Sequence, residues 1–246
     1  MLSMPNRKLG VKTKAANVRV SIVVPTFNEE KLIGRTLRNL RAVTPAGTQL
    51  IVADGRSKDR TVVVARRFAR VIFEKGHSIG SGRNSGAEVC KGGVLWFVDA
   101  DTFPTRAFYQ GMVEAFRDPA VVCVGCHVMP EHASLARRVF FHFLNFIVAG
   151  TVAAGWPCIA GSCVAYRRKD FEAMGGFDTE TASAEDMELS TRAAKRGKVV
   201  FLYHVSVPTS DRRVCQLGVL GLLKDWVRTT VMFLSGRKTK AYFAPR

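Results

Sequence analysis

Val94-Leu95-Trp96-Phe97-Val98-Asp99-Ala100-Asp101-Thr102 is a strand that runs straight into two acids. Five apolar residues of β-branched and aromatic type are expected to form a strand buried on both faces. A buried strand that ends in carboxylates spaced i, i+2 has two explanations. One is a polar strand-to-loop turn. The other is a seat for a hard divalent cation, which takes one or two protein carboxylates and completes its shell with water and substrate phosphates.

Upstream, strands at 20–24, 50–53 and 71–73 alternate with helices at 29–42, 59–69 and 79–90 before the strand at 94–98. Such alternation implies βαβ units, a parallel sheet and right-handed crossovers. Ligands of these sheets bind beyond the carboxyl ends of the strands. Pro25-Thr26-Phe27-Asn28-Glu29-Glu30, Asp54-Gly55-Arg56-Ser57 and Asp99-Ala100-Asp101 each follow a strand, so all three polar clusters are expected on one edge. Pro25 ends the first ladder, and Asn28 has the chemistry of a helix N-cap with Glu29 and Glu30 in the first turn. Beyond Phe103 the order is mixed: a helix at 105–116, a strand from 121, an apolar helix at 136–154, a strand at 159–166 and a helix at 185–196. The last element, 214–234, carries Leu217, Leu220, Leu223, Val227 and Val231 at helical spacing.

The 246 residues suffice for one substantial core, and 47% hydrophobic with 23% charged residues argues against disorder. A net charge of +17 requires an anionic partner: nucleic acid, an acidic membrane surface or a phosphate-bearing substrate. Zinc-finger spacing, an RNP-type signature and basic-region heptads are all missing from the sequence, so specific nucleic-acid recognition is not expected. Cys123-Val-Gly-Cys126 lies in an apolar segment without a second pair, which fits buried reduced thiols better than a metal site. The N-terminal stretch with Arg7, Lys8, Lys12 and Lys14 has no apolar core, so it is expected to be a flexible basic tail on a cytoplasmic protein. The stretch 139–156 is at the lower length limit for crossing a bilayer and contains His142, Asn145 and Thr151, which favours a buried or interfacial helix.

Six segments in order resemble a known family: Pro25 to Glu30, Ala53 to Ser57 with Asp59 and Thr61, Gly82-Arg83-Asn84-Ser85-Gly86, Asp99-Ala100-Asp101, Gly175-Gly176-Phe177-Asp178 and Glu185-Asp186-Met187-Glu188-Leu189. Together they resemble the family 2 glycosyltransferases, inverting enzymes of GT-A fold that use nucleotide-diphosphate sugars. The resemblance spans 20–203 and includes a bacterial membrane-associated subgroup and, more distantly, polyprenyl-phosphate sugar synthases. It implies an α/β, Rossmann-like fold with a mostly parallel central sheet flanked by helices. It further implies that Pro25, Thr26, Asn28, Glu29 and Asp54 line the nucleotide pocket. Arg83 is expected near the nucleotide's base or phosphates, and Asp99 and Asp101 on Mg2+ or Mn2+. Asp186 is expected as the general base, with Glu185 beside it. Inversion requires one base on the face opposite the leaving diphosphate. Without the resemblance, Glu185-Asp186 reads as helix-stabilising acids and Arg83 as a solvated helix residue.

Arg212 and Arg213 are candidates to clamp the diphosphate, with basic residues beside a membrane-surface helix as the alternative. His204 is a candidate extra metal ligand, though a lone histidine is more often a packed residue. Phe103 stands where the polyprenyl-phosphate synthases often have glutamine, which weakens that assignment. The expected organisation is a basic tail over 1–18, a transferase domain over 19–213 with a nucleotide-binding half (19–103) and an acceptor half (104–213), and a helix and tail over 214–246. The implied partners are a nucleotide-diphosphate sugar and an acceptor, lipid-linked or glycan, met by peripheral contact at the cytoplasmic face of a membrane. A nucleotidyltransferase also uses paired metal carboxylates, but it needs a Gly-rich basic loop after the first strand, which 25–30 lacks. A non-catalytic basic binding protein has no use for the acidic clusters.

Overall fold

A computed structural model describes residues 18–180 and 184–235; the basic stretch at 1–17 and the far tail lie outside the described residues. The alternating region forms β1 (Val20–Thr26), α1 (Ile33–Val43), β2 (Gln49–Asp54), α2 (Thr61–Ala65), β3 (Arg70–Phe73), α3 (Ile79–Glu88) and β4 (Val94–Val98). There follow α4 (Arg106–Ala115), β5 (Val121–Pro130), α5 (Leu135–Ala153), β6 (Cys163–Arg167), α6 (Arg168–Ala173), α7 (Glu185–Ala194), β7 (Lys198–Thr209) and α8 (Arg212–Leu234). The strands form one sheet in the order β3-β2-β1-β4-β6-β5-β7.

The central strands are apolar on both sides, and side-chain alternation divides them between two cores. Ile22, Val24, Trp96 and Val98 join Leu37 of α1 and Phe108 and Met112 of α4 on one face. Val23, Leu95 and Phe97 join Tyr166, Phe171, Phe177 and Leu189 on the other. There Phe97 meets Phe171 and Phe177 at ring-centroid distances of 5.2 and 5.0 Å. On this second face α3 lies very close to β1: a Cβ at Gly86 would sit 2.3 Å from Val23 Cγ1, so only glycine permits the approach.

The expected α/β fold with a mostly parallel sheet is present, with several differences in detail. β6 runs antiparallel to both β4 and β5, whereas β7 is parallel to β5. The sheet therefore turns mixed after β4. α1 begins at Ile33 with Leu32 as its cap, so Asn28 does not cap it and no acid lies in its first turn. Asn28 has φ of 54°, left-handed backbone unsuited to an N-cap, and its Oδ1 accepts instead from the Lys58 N–H at 2.9 Å. α2 is five residues long rather than eleven; the run Val62-Val63-Val64 is β-branched and lowers helix propensity. α6 and β7, the latter twelve residues on the sheet edge, have no counterpart among the elements that the sequence pattern implies. The cysteines at 123 and 126 are buried and reduced, as their apolar setting suggests.

Candidate active site

The carboxyl ends of β1, β2 and β4 open on one edge of the sheet, and two later segments reach the same edge. The turn before β6 arrives because β6 is antiparallel to β4: the Asp99 N–H donates to the Ser162 carbonyl at 3.0 Å. The end of β7 arrives because Thr102 and Thr209 pair, and the Ser210 N–H donates to the Asp101 carbonyl at 2.9 Å. Topology thus brings residues from five segments together.

Two loops form the first wall. Asp54 is fully buried, and its carboxylate accepts from Thr26 Oγ1 (2.9 Å), the Ser57 N–H (2.8 Å) and Ser57 Oγ (2.6 Å). It locks the end of β1 to the end of β2. Across the loops the Asn28 N–H donates to Ser57 Oγ (2.8 Å) and the Glu29 N–H to Thr61 Oγ1 (2.7 Å). Pro25 backs this wall against α3, where a Cβ on Gly82 would lie 3.3 Å from the Pro25 Cβ. Ser57 and Thr61 are thus partners of the site that the acidic motif brought with it.

Arg83 forms the centre. It is 1% exposed, and its guanidinium donates from Nη1 to Glu185 Oε1 (2.8 Å) and from Nη2 to Asp99 Oδ1 (2.9 Å). Burial alone would lower its pKa, but Asp99, Glu185 and Asp186 together outweigh that and raise it. Arg83 is neither a solvated helix residue nor open to a nucleotide: its fork is occupied by two carboxylates 86 positions apart in the chain. Gly161 makes room for it, since a Cβ there would lie 2.8 Å from Nη2, 2.9 Å from Nη1 and 3.0 Å from Cζ. With both carboxylates holding the guanidinium in place, Gly161→Ala is expected to cost roughly 1–3 kcal/mol by overpacking. Urea denaturation should show the lower midpoint with an unchanged slope.

The Gly161 N–H also donates to Asp186 Oδ2 at 2.7 Å, while Asp186 Oδ1 accepts from the Met187 N–H at 2.8 Å. Asp186 is half-buried and held at both oxygens, close to the Arg83 pair without joining it. Ala184, just before it, has φ of 68°; Asn28 and Arg56 are the other non-glycine residues with positive φ among the described residues. All three lie on loops of this edge, the places where backbone strain tends to accumulate in functional sites.

Burial, then the charge of Asp186, pushes the Glu185 carboxyl up to about 7 against the pull of Arg83. The folded protein therefore keeps a proton that the unfolded chain releases. Stability should be greatest below pH about 4.5 as far as this group is concerned, and fall as pH rises toward about 7. Glu185→Gln should flatten that part of a pH–stability curve. Asp101 contributes in the same direction in metal-free protein, because burial and Asp99 raise it to about 6, so the slope should shrink without vanishing.

Arg212 closes the front. Its Nη2 reaches Glu29 Oε1 and Oε2 (2.9 Å each) and Asp101 Oδ2 (3.0 Å). A protein cation thus already sits between two of the acids. Arg213 does not join the cluster; it pairs with Asp225 further along α8. His204 is also elsewhere, exposed in the middle of β7 and near His127. Among the described residues there is no group of three or more histidine, cysteine or acidic side chains able to hold a metal. The donor set is two carboxylates, Asp99 and Asp101, which suits an ion that completes its shell with water and phosphate oxygens. Phe103 is buried under the Arg35 guanidinium, which lies 4.0 Å from the ring centroid.

Residues 21–175 match the family model described as Glycosyl transferase family 2. Among curated proteins, the O-antigen chain rhamnosyltransferase RfbN of Salmonella typhimurium is 24% identical over 235 residues, covering 86% of this chain and 75% of that protein. The uncharacterized glycosyltransferase EpsJ of Bacillus subtilis is 29% identical over 113 residues; the match covers 44% of this chain and only 33% of that protein. Among solved structures, the mannosyltransferase PcManGT of Pyrobaculum calidifontis, in complex with GDP-Man and Mn2+, superposes with a TM-score of 0.64 at 24% identity, covering 86% of this chain and 64% of that one. The glucosyl-3-phosphoglycerate synthase of Mycobacterium tuberculosis, in complex with Mn2+, UDP and glucosyl-3-phosphoglycerate, gives 0.61 at 17%, covering 96% and 88%.

Proposed function

Because this chain belongs to glycosyl transferase family 2, we propose that it moves one sugar, with inversion, from a nucleoside-diphosphate donor to an acceptor at or near a membrane surface, lipid-linked or glycan. The observation that carries this reading is one buried arginine that joins two acidic stations: Asp99, with Asp101 near it in sequence, at one nitrogen, and Glu185, next to Asp186 in sequence, at the other. Transfer with inversion needs charge control at the leaving diphosphate and a base at the incoming oxygen, on opposite faces of the sugar. Domain roles follow the sheet, with 19–103 serving the nucleotide and 104–213 the acceptor.

Pro25, Thr26, Asn28, Glu29 and Asp54 shape the nucleotide pocket. Asp54 acts chiefly by holding the two loops, since its oxygens are filled by Thr26 and Ser57. Asp99 and Asp101 would hold Mg2+ or Mn2+; bound there, the ion would neutralise charge that grows on the departing diphosphate. The Mn2+ and nucleotides in the two structural neighbours support that assignment. Arg212 is placed to meet the diphosphate once Glu29 and Asp101 are otherwise engaged. Arg83 acts as a positioning residue, fixing Asp99 relative to Glu185 and hence to Asp186. As the bond from the anomeric carbon to the diphosphate oxygen breaks and the bond to the acceptor oxygen forms, Asp186 takes the acceptor's proton; Gly161 N–H keeps its carboxylate aimed.

Thermal-shift screening of UDP-, GDP-, dTDP- and CDP-sugars tests the reading. A ligand at about 100 times its Kd adds roughly 2.7 kcal/mol, so one nucleotide should raise the melting temperature clearly with Mn2+ and lose that effect with chelator. Shifts that are equal with and without metal, or absent for all four nucleotides, would contradict it.

A further inference from the structure

α5 has two different faces. On one, Val148, Ala149 and Val152 pack on the second core. Asn145 pins the same side to β5, donating from Nδ2 to the Val128 carbonyl (2.9 Å) and accepting at Oδ1 from the Val128 N–H (3.1 Å). On the other face Leu135, Val139, Phe143 and Phe146, spaced four, four and three, are 79%, 61%, 57% and 74% exposed. The helix is long and apolar enough to cross a bilayer, with a mean hydropathy of 1.3, yet only 11% of that window is buried. A helix fixed to a sheet along one side cannot be surrounded by lipid, but it can lie in a membrane surface with its free side down.

α8 carries an exposed apolar stripe of its own. Leu220, Val227 and Val231 are exposed, with Lys224 and Arg228 at matching helical positions, and a groove of about 610 Å3 runs along Leu220, Leu223, Lys224, Val227, Arg228 and Val231. Two contacts link them: Arg137 Nη1 donates to Cys215 Sγ (3.3 Å), and the ring of Trp156, just past the end of α5, lies 6.4 Å from that of Phe233. They therefore run side by side in the same direction. Together they carry six arginines and lysines: Arg212 is held by Glu29 and Asp101, Arg213 by Asp225, the one aspartate, and the other four are Arg137, Arg138, Lys224 and Arg228. Opposing two such basic faces from two copies of the chain would set like charge on like charge. An anionic bilayer answers both the apolar stripes and the cations.

We infer that the paired outer faces of α5 and α8 form the docking surface for an anionic lipid bilayer, with both helices lying in its interface. This deepens the membrane-proximal part of the proposed function. Arg212, at the start of α8, touches the donor carboxylates, and eight residues, with a kink at Gly218 (φ 67°, ψ 172°), separate it from Leu220. Docking through α8 thus ties the reaction centre to the lipid surface.

Flotation of the full chain tests the inference, using vesicles of phosphatidylcholine alone or with about 30% phosphatidylglycerol. Wild type should float with the anionic vesicles and about tenfold less with the neutral ones. Phe143→Ser with Phe146→Ser, at exposed sites and checked for an unchanged melting temperature, should lose flotation. Lys224→Glu with Arg228→Glu should lose only the preference for phosphatidylglycerol. Wild type that stays unbound, or a folded Phe143→Ser/Phe146→Ser variant that floats like wild type, overturns the inference. So does a drop from dimer to monomer in that variant, by light scattering, with flotation unchanged, which would make the face a contact between copies. Mn2+-dependent nucleotide binding, measured on the same samples, shows whether the transfer reading stands when docking fails.

Discussion

Asp186→Asn should lower turnover on the order of 10³-fold, within the range for losing a general base, while leaving metal-dependent binding of the nucleotide unchanged. The amide is nearly the same size, and its single oxygen can still accept from the Gly161 N–H at the loss of the Met187 N–H bond, a local change that leaves the Arg83–Asp99 pair in place. What is lost is the ability to take a proton. A second readout separates this from general damage: the charge of Asp186 is one of the causes that hold the Glu185 carboxyl high, so removing it should lower the Glu185 pKa. NMR titration of the labelled carboxyl should follow that drop. A variant with little turnover and an unmoved Glu185 would mean that the site had rearranged instead.

Asp99→Asn and Asp101→Asn should both remove metal-dependent transfer, by about 10³-fold or more if the ion contributes several kcal/mol at the transition state. Their effects on stability should differ. Asp99 is one of the two carboxylates hydrogen-bonded to a buried arginine, and its substitution should cost roughly 1–3 kcal/mol. Asp101 faces Arg212, whose side chain is 47% exposed and also held by Glu29, so its loss should be close to neutral. Denaturation of the two metal-free variants distinguishes them. Equal destabilisation would contradict the central place given to Arg83.

The first half of the fold is legible because its strands are continuous apolar runs, each ended by a polar cluster, and each helix between them is short. The second half is less so. β6 follows a long apolar helix, and no local pattern states that it returns antiparallel beside β4. β7 is an edge strand with Tyr203, His204 and Ser206 exposed, so its alternation is blurred where it lacks a covering layer. The acids at 99 and 101 stand out at the end of a buried strand, whereas 185 and 186, in the first turn of α7, are marked only by the family resemblance. The role of Arg83 could not: its two partners lie 16 and 102 residues away, and a helical arginine looks alike in sequence whether it meets solvent or two buried carboxylates. Arg212 and Arg213 are neighbours of identical chemistry, and helix rotation alone sends one to Glu29 and Asp101 and the other to Asp225. In the same way, the exposed stripes of α5 and α8 have the composition of core helices, and only their packing shows that they face outward.

Calorimetric titration of the nucleoside diphosphate selected by the screen, into wild type, Asp99→Asn and Asp186→Asn with and without Mn2+, tests the two-station arrangement most directly. Binding should need the metal in wild type, persist at similar affinity in Asp186→Asn and disappear in Asp99→Asn. Binding indifferent to Mn2+, or lost alike in both variants, would contradict a donor grip at Asp99 and Asp101 that is separate from the base at Asp186.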